Sequence, residues 1–229
     1  MAIIITSEQT IPIDEPFKVC AGPGAGKAHW LINHIKNVVS NSHKLDIVKK
    51  VACITYTNVG TDTITSRLNI GNDVVEVCTI HSFLYANVVK PYVHLVAEDF
   101  ELKLDELVVI DDSNFKSEGT AKIVLNHIGR SWLDAKIYLK GLESANWRYE
   151  NHEYKHYKPN YPQVYYTKSG KRYVGNDWYM GFKRWLWSGG YMSFDDILYF
   201  SHILLSRYPN IYKLIKARYP YIFVDEFQD

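Results

Sequence analysis

Cysteine is scarce in this sequence. Its 229 residues hold Cys20, Cys53 and Cys78, an odd number, widely spaced and without a CxxC pair. That pattern excludes a disulfide framework. Each lies in an apolar run with strand character, so buried, reduced thiols in a reducing compartment are expected. Long hydrophobic runs are missing as well. After Met1 the N-terminus MAIIITSEQ offers a short Ala-Ile-Ile-Ile run, below the roughly 7–15 apolar residues of a signal peptide. No run reaches the roughly 18–20 residues of a membrane span. The expectation is a soluble, cytoplasmic protein with no membrane partner. Net charge is nearly absent too: Lys+Arg 26 against Asp+Glu 25 leaves +1. Charge must therefore be read locally. Hydrophobic residues at 47% and charged residues at 22% exclude a disordered or low-complexity chain. What the sequence has in excess is aromatics, with 18 Tyr and 6 Trp. At about 100–200 residues per domain, the length fits one large domain, or one domain with an insertion.

The two ends of the chain share a pattern. Short apolar, β-branched runs occur at Phe17–Cys20, Val51–Thr55, Val74–Cys78 and Tyr221–Val224. Near-continuous apolar strands of this kind predict a parallel sheet buried on both faces. Ala28–Val39 has apolar residues at helical spacing, and Asp62–Leu68 reads as a second helix. The βαβ rhythm predicts an α/β domain. It is lost between about Tyr85 and Gly190, where Asp105–Asp112 is strand-like and Thr120–Gly129 helix-like. The stretch Trp147–Trp187 is dense in aromatic and basic residues, among them Lys155, Lys158, Lys183 and Arg184. Tyr165–Val174 predicts a β-hairpin turning at Ser169-Gly170. After Gly189-Gly190 helical spacing returns, until the Tyr221–Val224 strand. The parse is an α/β domain from 1–86 and 190–229, interrupted by a mostly helical insertion over 87–189.

Ala21-Gly22-Pro23-Gly24-Ala25-Gly26-Lys27-Ala28 follows an expected strand and opens an expected helix. That is the setting of a phosphate-binding P-loop. Glycines let the backbone pass close to phosphate, backbone N–H groups and the helix N-terminus hold it, and Lys27 reaches the outer phosphates. The last position departs from the pattern. A Ser or Thr hydroxyl there ligates Mg²⁺, and Ala28 has no oxygen to offer. Nucleotide binding retained in weakened form, with impaired hydrolysis, is the expectation. Asp225-Glu226-Phe227-Gln228-Asp229 then ends the last strand. Acids at the C-terminal edge of a parallel strand sit where ligands bind. Asp225 would hold Mg²⁺ through water, and Glu226 would orient and deprotonate an attacking water.

These segments resemble the UvrD/Rep-type superfamily 1 DNA helicases. AGPGAGKA resembles motif I. Ile54-Thr55-Tyr56-Thr57-Asn58 with the helix to Arg67 resembles motif Ia. Cys78-Thr79-Ile80-His81-Ser82-Phe83 resembles motif Ib. Phe194-Asp195-Asp196-Ile197-Leu198 and then Val224–Asp229 resemble the run into motif II. The resemblance implies a RecA-like, P-loop NTPase domain 1A with a 1B-like insertion, using ATP and Mg²⁺. Gln9 would read adenine, as the family's Q-motif glutamine does, and Gln228 would sense the γ-phosphate. Tyr56, Thr57, Asn58, Thr79, His81 and Ser82 would line a single-strand track, a ring and hydroxyl set suited to bases and phosphates. In the insertion, Lys168, Lys171 and Arg172 at the hairpin tip are candidates for single-stranded or duplex DNA contact. Its tyrosines and tryptophans could equally form the insertion's own core.

The motif run stops at Asp229, directly after motif II, so the resemblance implies an incomplete motor. A shortened piece, a split or decayed gene, and a module completed by a second chain would each give this pattern. Two functions stand as expectations. One is the ATP-binding portion of a helicase that couples ATP hydrolysis to translocation on DNA and its unwinding. The other is a catalytically inactive nucleotide- and DNA-binding module of a defence or repair complex. An unrelated P-loop kinase is disfavoured by the DEFQD run.

Overall fold

The computed structural model describes residues 5–6, 8–20, 22, 24–143, 145–157, 164–166, 172–174 and 176–226, with backbone alone for 164–166, 172–174 and 176–177. The chain divides into two compact units, residues 1–83 with 209–229, and residues 84–208.

The first unit contains the parallel sheet. Strands β1 (Val51–Thr55), β2 (Val75–Thr79) and β9 (Tyr221–Val224) lie in the order β2-β1-β9 among the described residues. Both pairings are parallel, with Thr55 beside Thr79 and Ile54 beside Val224. All residues of β1 are buried, which is why it reads as an unbroken apolar run rather than an alternating one. Helix α1 (Lys27–Asn41) packs on this sheet through Trp30, Leu31, Ile35 and Val38, a spacing that puts them on one face. Burying each such side chain contributes about 1.5–3 kcal/mol. Helix α2 (Asn58–Leu68) starts where the Thr57 side chain accepts a hydrogen bond from the Gly60 N–H at 3.1 Å. It stops at Asn69, whose φ of 51° is left-handed. Helix α9 (Asn210–Arg218) leads into β9.

One expectation fails here. Phe17–Cys20 is not a strand of the sheet among the described residues. A strand exists by its ladder. These residues instead line a cavity together with Ile222–Glu226, and the Phe17 and Phe223 rings lie 6.1 Å apart. The cysteines divide accordingly. Cys53 on β1 is buried, Cys78 is half-buried, and Cys20 is exposed, contrary to its expected burial. Burial pushes the Cys53 thiol up to about 12, helped by the Asp225 charge, and the Cys78 thiol up to about 11.

Helix α3 (Ile80–Leu84) belongs to the first unit but for Leu84. The second unit is mostly helical and opens with a π turn at Tyr85–Val89 and α4 (Lys90–Tyr92). Then follow β3 (Val108–Ile110), α5 (Glu118–His127), α6 (Ala135–Glu143), β4 (Asn146–Glu150) and β5 (Glu153–Tyr157). The hairpin expected at Tyr165–Val174 is present as antiparallel β6 (Val164–Tyr166) and β7 (Arg172–Val174), with Tyr165 opposite Tyr173. Helix α7 (Asn176–Ser188), β8 (Tyr191–Ser193) and α8 (Phe194–Arg207) complete the unit. Helix α8 packs with β4, β8 and the π turn.

Part of the aromatic excess is core. Tyr138, Trp178, Phe182, Trp187 and Phe200 are fully buried. Lys183, in the stretch read as basic, is also fully buried. Its ammonium meets Asp112 at 2.7 Å, Ser193 at 2.7 Å and Asp196 at 3.1 Å. Asp196 also accepts from the indole N–H groups of Trp147 at 2.9 Å and Trp187 at 3.1 Å. The same carboxylate closes a capping box with Ser193 at the start of α8. Burial raises the Asp112 carboxyl, but the Lys183 charge and hydrogen bond, with Lys116, hold it below the usual carboxylate range. The buried charges are thus mutually satisfied, as interior ions must be.

Candidate nucleotide and nucleic-acid site

The phosphate loop turns through residues that tolerate left-handed backbone. Gly24 has φ 75° and Gly26 φ 80°, values that strain a residue bearing a Cβ. The Ala25 N–H donates to the Gly22 carbonyl at 3.3 Å, closing a turn. Gly26 is the N-cap of α1 and caps it with no side chain. The first N–H groups of α1 therefore have no partner within the helix, and its first turn holds no acidic residue. That end of a helix favours an anion. Lys27 opens the helix, and Ala28 follows it half-buried.

A cavity of about 780 Å³ lies beside this loop. Lys27, Trp30 and Leu31 of α1 line it, together with Phe17–Cys20 and Ile222–Glu226. Lys27, Asp225 and Glu226, far apart in sequence, thus face one space. Gln9, Gly22, Gly24, Ala25, Gly26 and Ala28 are not among its lining residues. The Asp225 N–H donates to the Ile54 carbonyl at 2.8 Å, which fixes the acidic pair just past the end of β9. Glu226 has a φ of 53°, uncommon for a residue other than glycine.

The donor set suits a triphosphate with a hard cation. Among the residues lining the cavity, Lys27 supplies one ammonium and Asp225 and Glu226 two carboxylates, and its volume is in the size range of ligand pockets, about 300–1,000 Å³. Mg²⁺ keeps several waters and binds through one or two carboxylates and substrate phosphates, and this acidic pair could supply the carboxylates.

The motif Ia and Ib residues lie at the same edge of the sheet. Thr55 and Thr79 are paired at the C-terminal ends of β1 and β2, and Asp225 follows the end of β9. Beyond β1, Tyr56 is 54% exposed, Thr57 caps α2, and Asn58 is exposed. Thr55 braces this turn by donating to the Thr57 carbonyl at 2.8 Å and bonding Thr61 at 3.0 Å. Sequence reasoning gave Thr55 no such part; a threonine two residues before a capping threonine is the signal that could have found it. Beyond β2, the Thr79 hydroxyl accepts from the Ser82 N–H at 3.2 Å and donates to the Ser82 hydroxyl at 3.0 Å. His81 is half-buried and Ser82 exposed.

Gln9 is held in a turn. Its N–H donates to the Thr6 carbonyl at 3.2 Å, and its side-chain oxygen accepts from the Thr6 N–H at 2.8 Å. Ala21, Pro23, Gln228, Lys168 and Lys171 lie outside the described residues, and Arg172 is described by its backbone, in β7.

Sequence comparison gives the family. Residues 6–229 match the family model for the UvrD/REP helicase N-terminal domain. The Gabija protein GajB from Bacillus cereus (strain HuB5-5) is 26% identical over 243 aligned residues, covering 91% of this chain. The chain spans about a third of that relative's length, 35%. No helix among the described residues is long and apolar enough to cross a membrane. The mixed α/β fold with its parallel sheet is of the RecA-like kind, and the chain belongs to the UvrD/REP helicase N-terminal domain family.

Proposed function

We propose that this chain is the ATP-binding portion of a UvrD-like DNA motor, with a nucleic-acid track beside the nucleotide site. The observation that carries the reading is a shared edge. Lys27, Asp225 and Glu226 line one cavity, and the turns bearing Tyr56–Asn58 and Thr79–Ser82 leave the same end of the same sheet. Ligands of open α/β sheets bind at that end.

The loop from Ala21 to Ala28 cradles the phosphates through backbone N–H groups, and Lys27 neutralises their outer charge. Asp225 would hold Mg²⁺ through water, and that ion would offset phosphate charge. Glu226 orients a water and accepts its proton as the water oxygen bonds to the γ-phosphorus and the bond from that phosphorus to the bridging oxygen breaks, releasing ADP and phosphate. Gln228 senses the outer phosphate, and Gln9 reads the base. Tyr56 stacks on a nucleobase, while Thr57, Asn58, Thr79, His81 and Ser82 donate to the strand. Lys168, Lys171 and Arg172 extend DNA contact into the insertion. In domain terms, the motif order assigns residues 1–86 and 190–229 to the motor domain 1A and 87–189 to the 1B-like insertion, although residues 190–208 pack within the mostly helical unit. Coupling of ATP hydrolysis to translocation and unwinding in the cytoplasm belongs to the assembled motor, which a second chain could complete.

A second reading is favoured by Ala28. Without an oxygen at that position, the chain would bind nucleotide and DNA and hydrolyse slowly or not at all, as an inactive module of a defence or repair complex. Fluorescence anisotropy of a labelled oligothymidylate tests the shared edge. The unmodified chain is expected to bind it, with an affinity that changes when Mg-ATP is added. Lys27→Ala should remove the response to ATP and keep DNA binding. Tyr56→Ala should weaken DNA binding about tenfold, as expected for loss of a stacked base. DNA binding indifferent to Tyr56 and to ATP would contradict the reading.

A further inference from the structure

Two side chains at the start of α1 reach back to the segment carrying Gln9. The Trp30 indole N–H donates to the Gln9 backbone carbonyl at 2.8 Å. Next to it, His29 Nε2 lies 3.1 Å from Glu8 Oε1. Trp30 itself has little freedom. It is 5% exposed, stacks on His34 with centroids 5.0 Å apart, and meets Phe17 edge-on at 5.4 Å. Lys27, which opens the same helix, lines the cavity together with Trp30. The phosphate loop and the Gln9 turn are therefore tied to one rigid turn of helix.

We propose that Trp30 is a positioning residue for base recognition: its indole N–H fixes the Gln9 turn relative to the phosphate loop, so that the Gln9 carboxamide presents a set pattern to a bound purine. The proposal rests on the reading of Gln9 as the adenine-recognising residue. The Gln9 oxygen accepts from the Thr6 N–H, which orients the amide. Among the described residues, one lone pair on that oxygen and both amide protons remain. A donor and an acceptor side by side match adenine, whose N7 accepts and whose N6 amino group donates. Guanine offers two acceptors there and mismatches one of them. Discrimination needs the base and phosphate ends held at a fixed separation, and the Trp30 bond spans the two.

The test is the ratio of affinities for fluorescent Mg-ATP and Mg-GTP, measured on the 229-residue chain. Trp30→Phe keeps a ring for stacking and removes the N–H. It is expected to weaken ATP about fivefold to tenfold, the scale of one lost hydrogen bond, and to leave GTP unchanged. Gln9→Ala should reach the same ratio, with no further loss in the double variant. A ratio unchanged in Trp30→Phe, or an equal loss of both nucleotides, overturns the proposal, because a merely structural tryptophan would act that way. A ratio unchanged in Gln9→Ala overturns base reading by Gln9 beneath it. Failure of the unmodified chain to bind either nucleotide overturns the nucleotide site itself. Should Trp30→Phe not fold, the Trp30 indole ¹⁵N–¹H resonance of the unmodified chain decides. It should shift with ATP and not with GTP, and equal responses to both would contradict the proposal.

Discussion

At Ala28 a methyl group stands in the first turn of α1 beside Lys27, where a hydroxyl would reach a metal ion on the phosphates. The backbone of the loop is indifferent to this change, because Gly24, Gly26 and the helix N-terminus supply its conformation and its donors. The deficit falls on the metal alone. Ala28→Thr is therefore expected to tighten Mg-ATP about tenfold and to leave Mg-free ATP unchanged, on the scale of one gained oxygen ligand. Titrations with and without Mg²⁺ measure both, and an equal gain in the two would refute the argument. Such residues were legible because their chemistry depends on local order: glycines at fixed spacing, a lysine, an acidic pair after an apolar run. Trp30 was not. As sequence it is one apolar residue on a helical face, and its bond to Gln9 crosses 21 positions.

Elements were legible where apolar residues run without a break. Val51–Thr55 was bounded from its run because β1 is buried throughout, and Tyr221–Val224 was bounded from its own although β9 alternates buried and exposed residues. Phe17–Cys20 has the same composition, yet no ladder holds it among the described residues; pairing is non-local and leaves no mark on a four-residue run. Lys183 shows the limit again. A lysine among tyrosines and tryptophans reads as surface, and only the fold brings Asp112 and Asp196 to it. The packing of α1 against β9 yields a prediction of its own. His34 is 2% exposed, and neither of its ring nitrogens has a hydrogen-bond partner among the described residues. It meets Phe223 on β9 edge-on at 5.6 Å. Burial lowers its pKa, so the native ring stays neutral below its ordinary value of 6.5. The unfolded chain takes up a proton there that the native state refuses. His34 thus favours folding less as pH falls from 6.5 towards its lowered native value. His34→Leu should flatten this part of the stability–pH curve and raise stability by about 1 kcal/mol at pH 7. Urea denaturation at pH 7 and pH 5.5 measures both, and an unaltered slope would count against the neutral, unpartnered ring.

At the scale of the molecule, the near-zero net charge hides two differently built units. One is an α/β unit whose sheet edge gathers the acidic pair, the phosphate loop and the threonine-capped turns. The other is a mostly helical unit whose core takes Tyr138, Trp147, Trp178, Tyr179 and Trp187 among its aromatics. The second was hardest to foresee, since aromatic and basic residues suit a buried core and a nucleic-acid surface alike until their neighbours are known. The central claim concerns the first unit: Lys27 and Asp225, 198 positions apart in the chain, act on one triphosphate. Calorimetric titration of Mg-ATP into the unmodified chain, Lys27→Ala and Asp225→Asn tests it most directly. Saturable one-site binding is predicted for the unmodified chain. Lys27→Ala should lose at least about tenfold in affinity with or without Mg²⁺, and Asp225→Asn should lose affinity only when Mg²⁺ is present. Binding of equal strength in all three proteins would contradict the account.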